Sequence, residues 1–235
     1  SGTRETLRRV GSNIGHFARS MTKALTGLMQ THTETPPQQE LGCPVAPKGK
    51  PDVADKVSGI GVAGVRAAVV AEGSPLYARF MTEALAGRDL VISPWQAGGY
   101  EQVESMTMTY TMPAPDDVPD MVRRIVAIPE SISGRAVTWF APDSEMPHFT
   151  VKQRCTSEGV MYADRFHVEI TLEARADAAA GGVELRQWVE VVWLKPLPWT
   201  ASLLGKVIEK RVRSETAAKF PTFVRILRDL AADQR

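Results

Sequence analysis

The sequence predicts an α+β fold in which a curved antiparallel sheet wraps around a long C-terminal helix. Two observations carry that expectation. From Tyr100 onward several segments alternate apolar and polar side chains with period two, the pattern of strands with one covered face. From Trp199 to about Asp233 the alternation stops, and Leu203, Leu204, Val207, Ile208, Val212, Phe223, Leu227 and Leu230 recur at helical spacing. At about 1.5 Å per residue such a helix reaches across a whole sheet.

Composition bounds the remainder. The chain has 235 residues, 28 basic and 27 acidic side chains, a net charge of +1 and 43% hydrophobic residues. That excludes collagenous, coiled-coil and disulfide-framework proteins. The neutral balance argues against a nucleic-acid partner, which calls for a basic excess. Cys43 and Cys155 stand in no metal-ligand spacing and staple no scaffold. No run approaches the roughly 18–20 apolar residues of a spanning helix; the best, Ile60 to Ala71, contains Arg66. The chain opens Ser1-Gly2-Thr3 without a methionine, which leaves room for an anchor or further domains outside it.

Residues 1–33 place Leu7, Val10, Ile14, Phe17, Met21, Leu25 and Leu28 on one helical stripe. Their charge is about +4, which leaves about −3 for the rest. Three readings stand: a helix docking on another part of the protein, an amphipathic helix on an anionic membrane, or a mitochondrial-type presequence. For the membrane reading the contacts are Arg8, Arg9, Phe17, Arg19 and Lys23. Residues 34–64 are rich in proline and glycine and read as a linker. Gly59-Ile60-Gly61-Val62-Ala63-Gly64 satisfies a dinucleotide-binding glycine pattern, but a proline-rich stretch precedes it and the β-branched-leaning Val65 to Ala71 follows. The expectation is a flexible lead-in to a strand.

The body, residues 65–235, opens with that short strand. A helix follows over about Pro75 to Ala86, with Ser74 as N-cap, Pro75 at the first position, and Leu76, Phe80 and Leu85 on one side. Met106, Met108, Tyr110 and Met112 share a strand face opposite Thr107, Thr109 and Thr111. Phe166, Val168, Ile170 and Leu172 alternate with His167, Glu169, Thr171 and Glu173, which are expected on the solvent side. Val183, Leu185, Val189, Val191 and Trp193 repeat the pattern after a turn. Pro221 is expected to interrupt and kink the last helix. A sheet gripping a helix leaves room for an apolar cavity between them, and methionines suit such a lining.

Five elements in order then resemble a family. They are the strand and helix around Ser74 to Ala86, Ile92-Ser93-Pro94-Trp95, and Met108-Thr109-Tyr110-Thr111-Met112-Pro113. Tyr162-Ala163-Asp164-Arg165-Phe166 follows, then Trp193-Leu194-Lys195-Pro196-Leu197-Pro198-Trp199 with Lys206-Val207-Ile208-Glu209-Lys210. Over roughly residues 66–230 the chain resembles the VASt domain, the StAR-related lipid-transfer relative of Aster and Lam sterol transporters and plant GRAM-domain proteins. It departs from that pattern at Met161, where the family has proline, and in lacking an arginine before the strand tyrosine.

The resemblance implies a helix-grip (START-like) cup that binds a sterol or other apolar lipid and moves it between membranes at contact sites. The implied setting is cytoplasmic and peripheral to a membrane surface such as the endoplasmic reticulum. Candidate lining residues are Met106, Met108, Tyr110, Phe166, Val168, Ile170, Val189, Val191 and Trp193 by strand parity, with Leu204 and Ile208 from the helix. By the same resemblance, Pro113, Ala114, Pro115, Asp116, Asp117, Val118 and Pro119, running on to Asp120, form a lid. Lys206, Lys210 and Arg213 make a basic stripe, solvated or membrane-facing. Without a serine elbow, paired-cysteine or metal-helix motif, the expectation is no catalysis, no metal and no cofactor. The alternative function is a cup without ligand, acting as an interaction or tethering module.

Overall fold

The computed structural model describes residues 41–97, 103–114, 129–142, 148–179 and 181–232. Contacts divide the chain into residues 1–39 and 40–235, and the described residues belong to the second unit. The basic helix with Arg8, Arg9, Phe17, Arg19 and Lys23, and the lid residues Pro115, Asp116, Asp117, Val118 and Pro119, lie outside the described residues.

The fold is α+β: a curved antiparallel sheet with a long C-terminal helix. Its strands are β1 (Val53–Ser58), β2 (Arg88–Ile92), β3 (Gln96–Ala97), β4 (Glu104–Pro113), β5 (Ser131–Phe140), β6 (His148–Glu158), β7 (Phe166–Asp177) and β8 (Gly182–Trp193). They pair in the order β1-β8-β7-β6-β5-β4-β2, with β3 also on β4. The helices are α1 (Val62–Val70), α2 (Pro75–Leu85) and α3 (Ser202–Ala232).

Alternation places Met106, Met108 and Tyr110 on the inner face of β4, all buried, with the threonines outward. On α3, Phe220, Phe223, Val224, Ile226 and Leu227 are buried in a core shared with α1, α2 and the inner face of the sheet. Phe80 of α2 meets Phe223 edge to face at 5.6 Å. Around that contact Arg79 pairs with Glu83 at 2.7 Å and Asp229 at 2.9 Å, and Arg225 pairs with both carboxylates. Ser74 does precede α2, with Pro75 at its start. Its hydroxyl caps no backbone N–H but turns inward to Met106 Sδ at 2.9 Å.

Several expectations are corrected. Val65 to Ala71 is not a strand, because α1 runs from Val62 to Val70. Val62, Val65, Ala68 and Val69 recur at helical spacing and are all buried, so packing overrides β-branching. The linker reading fails for residues 41–64. Val53–Ser58 is the sheet's edge strand, fully paired with β8. The glycine pattern therefore does lie between a strand and a helix, contrary to expectation. That strand is antiparallel to its neighbour, however, and not part of the parallel βαβ unit that dinucleotide folds require. Pro221 does not end α3, which continues through it with the ring exposed.

The largest difference concerns the outer face. His167 is only 3% exposed and Glu173 2%, and Glu169 and Thr171 are buried as well. Over Thr171 the cover is the proline-rich segment before β1. Trp139 of β5 donates its indole N–H to the Gly42 carbonyl at 3.0 Å, and Trp188 of β8 donates to that of Gly49 at 2.9 Å. Trp139, Lys152, Thr171 and Trp188 are successive cross-strand partners over β5, β6, β7 and β8. A chain held at both ends of that row crosses β6 and β7, a span of about 14 Å at roughly 4.8 Å per strand. Beneath this strap Glu169 accepts from Arg154 at 2.8 Å, Lys152 at 2.5 Å and His167 at 3.3 Å.

Candidate functional site

The inner face is filled unevenly. Toward the C-terminal half of α3, Phe149, Val151, Leu172, Ala174 and Leu185 are buried in the main core. Toward the other end of the same strands, Val168, Ile170 and Phe166 are only half-buried, although β7 is flanked by strands on both sides. An interior position of a central strand is half-exposed only where nothing packs above it. The helix shows the same division. Of residues 204–219 none is buried, and Leu204, Ile208 and Val212 are half-exposed, whereas its last turns are sealed. Sheet and helix are thus tightly packed together at one end, while at the other the apolar side chains of both remain partly exposed.

Strand direction fixes which end is open. The β6–β7 connection, the end of β8 and the start of α3 lie together there, as do the ends of β4 and β5 that the expected lid would join. Trp193 props the opening. Its ring packs on Phe166 with centroids 5.2 Å apart, and its N–H donates to Glu209 Oε1 of α3 at 2.9 Å. The preceding 3-10 turn, Ala163–Arg165, starts after Tyr162 in a left-handed conformation (φ 68°) with the Arg165 guanidinium over its ring.

The expected lining residues therefore separate into two groups. Phe166, Val168, Ile170, Trp193, Leu204 and Ile208 border the unfilled end. Met106 and Met108 are each 1% exposed and belong to the packed core, while Tyr110, Val189 and Val191 are buried on the same inner face. Tyr110 lies flat on Gly134, its cross-strand partner, where a Cβ would come within 2.4 Å of the ring. Only a residue without a side chain leaves the phenol that place.

A polar strip at the cup's floor was not foreseen. Met106, Thr138, Gln153, Ile170 and Val189 form one row across the sheet; Met108, Ala136, Cys155, Val168 and Val191 form the next. Gln153 Nε2 donates to Thr138 Oγ1 at 2.9 Å, and the Cys155 thiol donates to Gln153 Oε1 at 3.6 Å. Burial pushes that thiol's pKa up to about 12 and raises the Tyr77 and Tyr110 phenols beyond their ordinary range; a thiolate at Cys155 would raise both further. All three groups stay neutral at physiological pH and can exchange hydrogen bonds with an uncharged partner. The signal was parity: Gln153 follows Phe149 and Val151 on the inward positions of β6.

Elsewhere, Asp89, Thr107, Thr109, Tyr110, Thr111, Ser133, Gly134, Arg135 and Glu158 border an open groove of about 550 Å³ with polar and apolar lining in equal measure. Among the described residues no group of three or more His, Cys, Asp or Glu side chains could hold a metal ion, and no helix is long and apolar enough to cross a membrane. No protein-family model matches the chain, and no curated protein matches it.

Proposed function

We propose that this chain is a lipid carrier of helix-grip type whose cup takes one sterol-like molecule and moves it between membranes, in line with its resemblance to the VASt domain. The observation that carries the reading is the half-buried apolar floor at Val168 and Ile170, in the middle of the sheet and facing the uncovered half of α3. A rigid apolar body placed there would complete the burial left unfinished by the protein. The neutral strip of Thr138, Gln153 and Cys155 supports a ligand with a hydroxyl rather than a charged headgroup.

Extraction of lipid from the purified protein, with transfer of a fluorescent sterol between liposomes, tests this. The expected result is one bound lipid per chain and transfer well above background. A folded protein with neither would leave the ligand-free tether as the better reading. Ile170→Trp separates a cavity from a core position. It should abolish sterol uptake while leaving the urea midpoint unchanged or raised, because the indole enters empty space. Overpacking a filled core would instead cost about 1–3 kcal/mol.

A further inference from the structure

We propose that the turn joining β8 to α3 is a docking tip for an anionic phospholipid bilayer. Of the five large hydrophobic side chains exposed among the described residues, three fall within residues 194–207: Leu194, Trp199 (87% exposed) and Val207 (52%). Three exposed large apolar groups in so short a stretch mark a contact site. Hydrogen bonds tie the backbone of the turn to its surroundings. Leu194 N–H donates to the Arg165 carbonyl at 2.7 Å, Arg165 Nη1 to the Pro196 carbonyl at 2.5 Å, and Ala201 N–H to the Pro198 carbonyl at 2.8 Å. Pro196 and Pro198 stiffen the same stretch.

The residue types identify the partner. Tryptophan beside leucine and proline suits the boundary between headgroups and acyl chains, where an amphipathic ring finds both environments. Lys195, Lys206 and Lys210 are exposed around it. Lysine near an anionic leaflet adds attraction that a protein groove of neutral surface would not reward. Asp164 faces Lys195 at 3.9 Å and offsets its charge, and Glu209 accepts from Trp193, so the basic excess rests on Lys206 and Lys210. Arg213 is not part of the patch, because it pairs with Asp52 at 3.0 Å. Docking stands on these exposed side chains alone. Its use in loading the cup, whose open end adjoins the tip, rests on the lipid-carrier reading.

The test uses the full chain with vesicles of phosphatidylcholine, with and without three-tenths phosphatidylserine, in a sedimentation assay. The wild type should partition onto the serine-containing vesicles, Trp199→Ala should partition at least tenfold less, and Trp199→Phe should recover part of the loss. Lys206→Glu with Lys210→Glu should weaken binding to the anionic vesicles and leave phosphatidylcholine binding unchanged. Because Trp199 touches so little of the protein, unchanged circular dichroism is expected of Trp199→Ala. Equal partitioning of wild type and Trp199→Ala overturns the proposal, as does a wild type that binds neither vesicle, which would leave the patch to a protein partner. Sterol offered in cyclodextrin separates the two readings. Trp199→Ala should still take it up, whereas a wild type that docks but takes up none would sink the cup and leave the tip standing.

Discussion

Glu169 shows how much a single side chain under the strap carries. Burial alone would raise its pKa, but hydrogen bonds from His167, Lys152 and Arg154 outweigh that and hold the carboxyl far below its usual range. A depressed folded pKa stabilises the protein above the unfolded value near 4.5 and ceases to do so as pH falls from there toward the folded value. Lys152 and Arg154 also lie over the Trp139 ring, at 6.0 and 5.6 Å, so the cluster is tied to the indole that anchors the strap. Glu169→Gln leaves two cations without their counter-charge and should cost about 3 kcal/mol at neutral pH. It should also flatten the loss of stability between pH 4.5 and about pH 3, read from urea unfolding at each pH. A variant as acid-sensitive as the wild type would show that other carboxylates govern that limb.

The separate elements differ in how plainly the residues announce them. The methionine strand and the β7–β8 hairpin were legible because apolar and polar residues alternate along each. The last helix was legible because eight apolar residues keep its spacing. Helix α1 was not, since nine residues rich in valine and alanine satisfy either period and only packing selects one. The strap was not, because a proline-rich segment has the same composition whether solvated or laid on a sheet, and its anchors are the backbone carbonyls of Gly42 and Gly49. The polar floor of the cup was lost to the assumption that inward positions are apolar. Pro221 is another such case: the helix runs on through it, between the buried Phe220 and Phe223. Pro221→Ala would restore a backbone donor within an intact helix, and should raise stability by about 1–3 kcal/mol. A neutral result in urea unfolding would mean the helix bends there already.

Across the described residues, burial is dense at one end of the sheet and α3 and sparse at the other. Hydrogen exchange should separate them: amides of Phe220 to Leu227 are expected to be protected up to the global unfolding free energy, and those of 204–217 to exchange faster until a lipid is bound. Uniform protection along α3 without ligand would argue that the cup is already full. The covered outer face has a further effect, on how the chain finds its fold. In a sheet with one wet side, slipping a strand by one residue exposes its apolar set and buries its polar set. Here a slip in β7 would turn Glu169 and Glu173 to the apolar inner face, taking Glu169 away from Lys152 and Arg154 of β6, and push Val168 and Ile170 against the charges under the strap. Both sides of the strand therefore reject the wrong alignment, and the pairing is fixed as firmly by its charged surface as by its oily one.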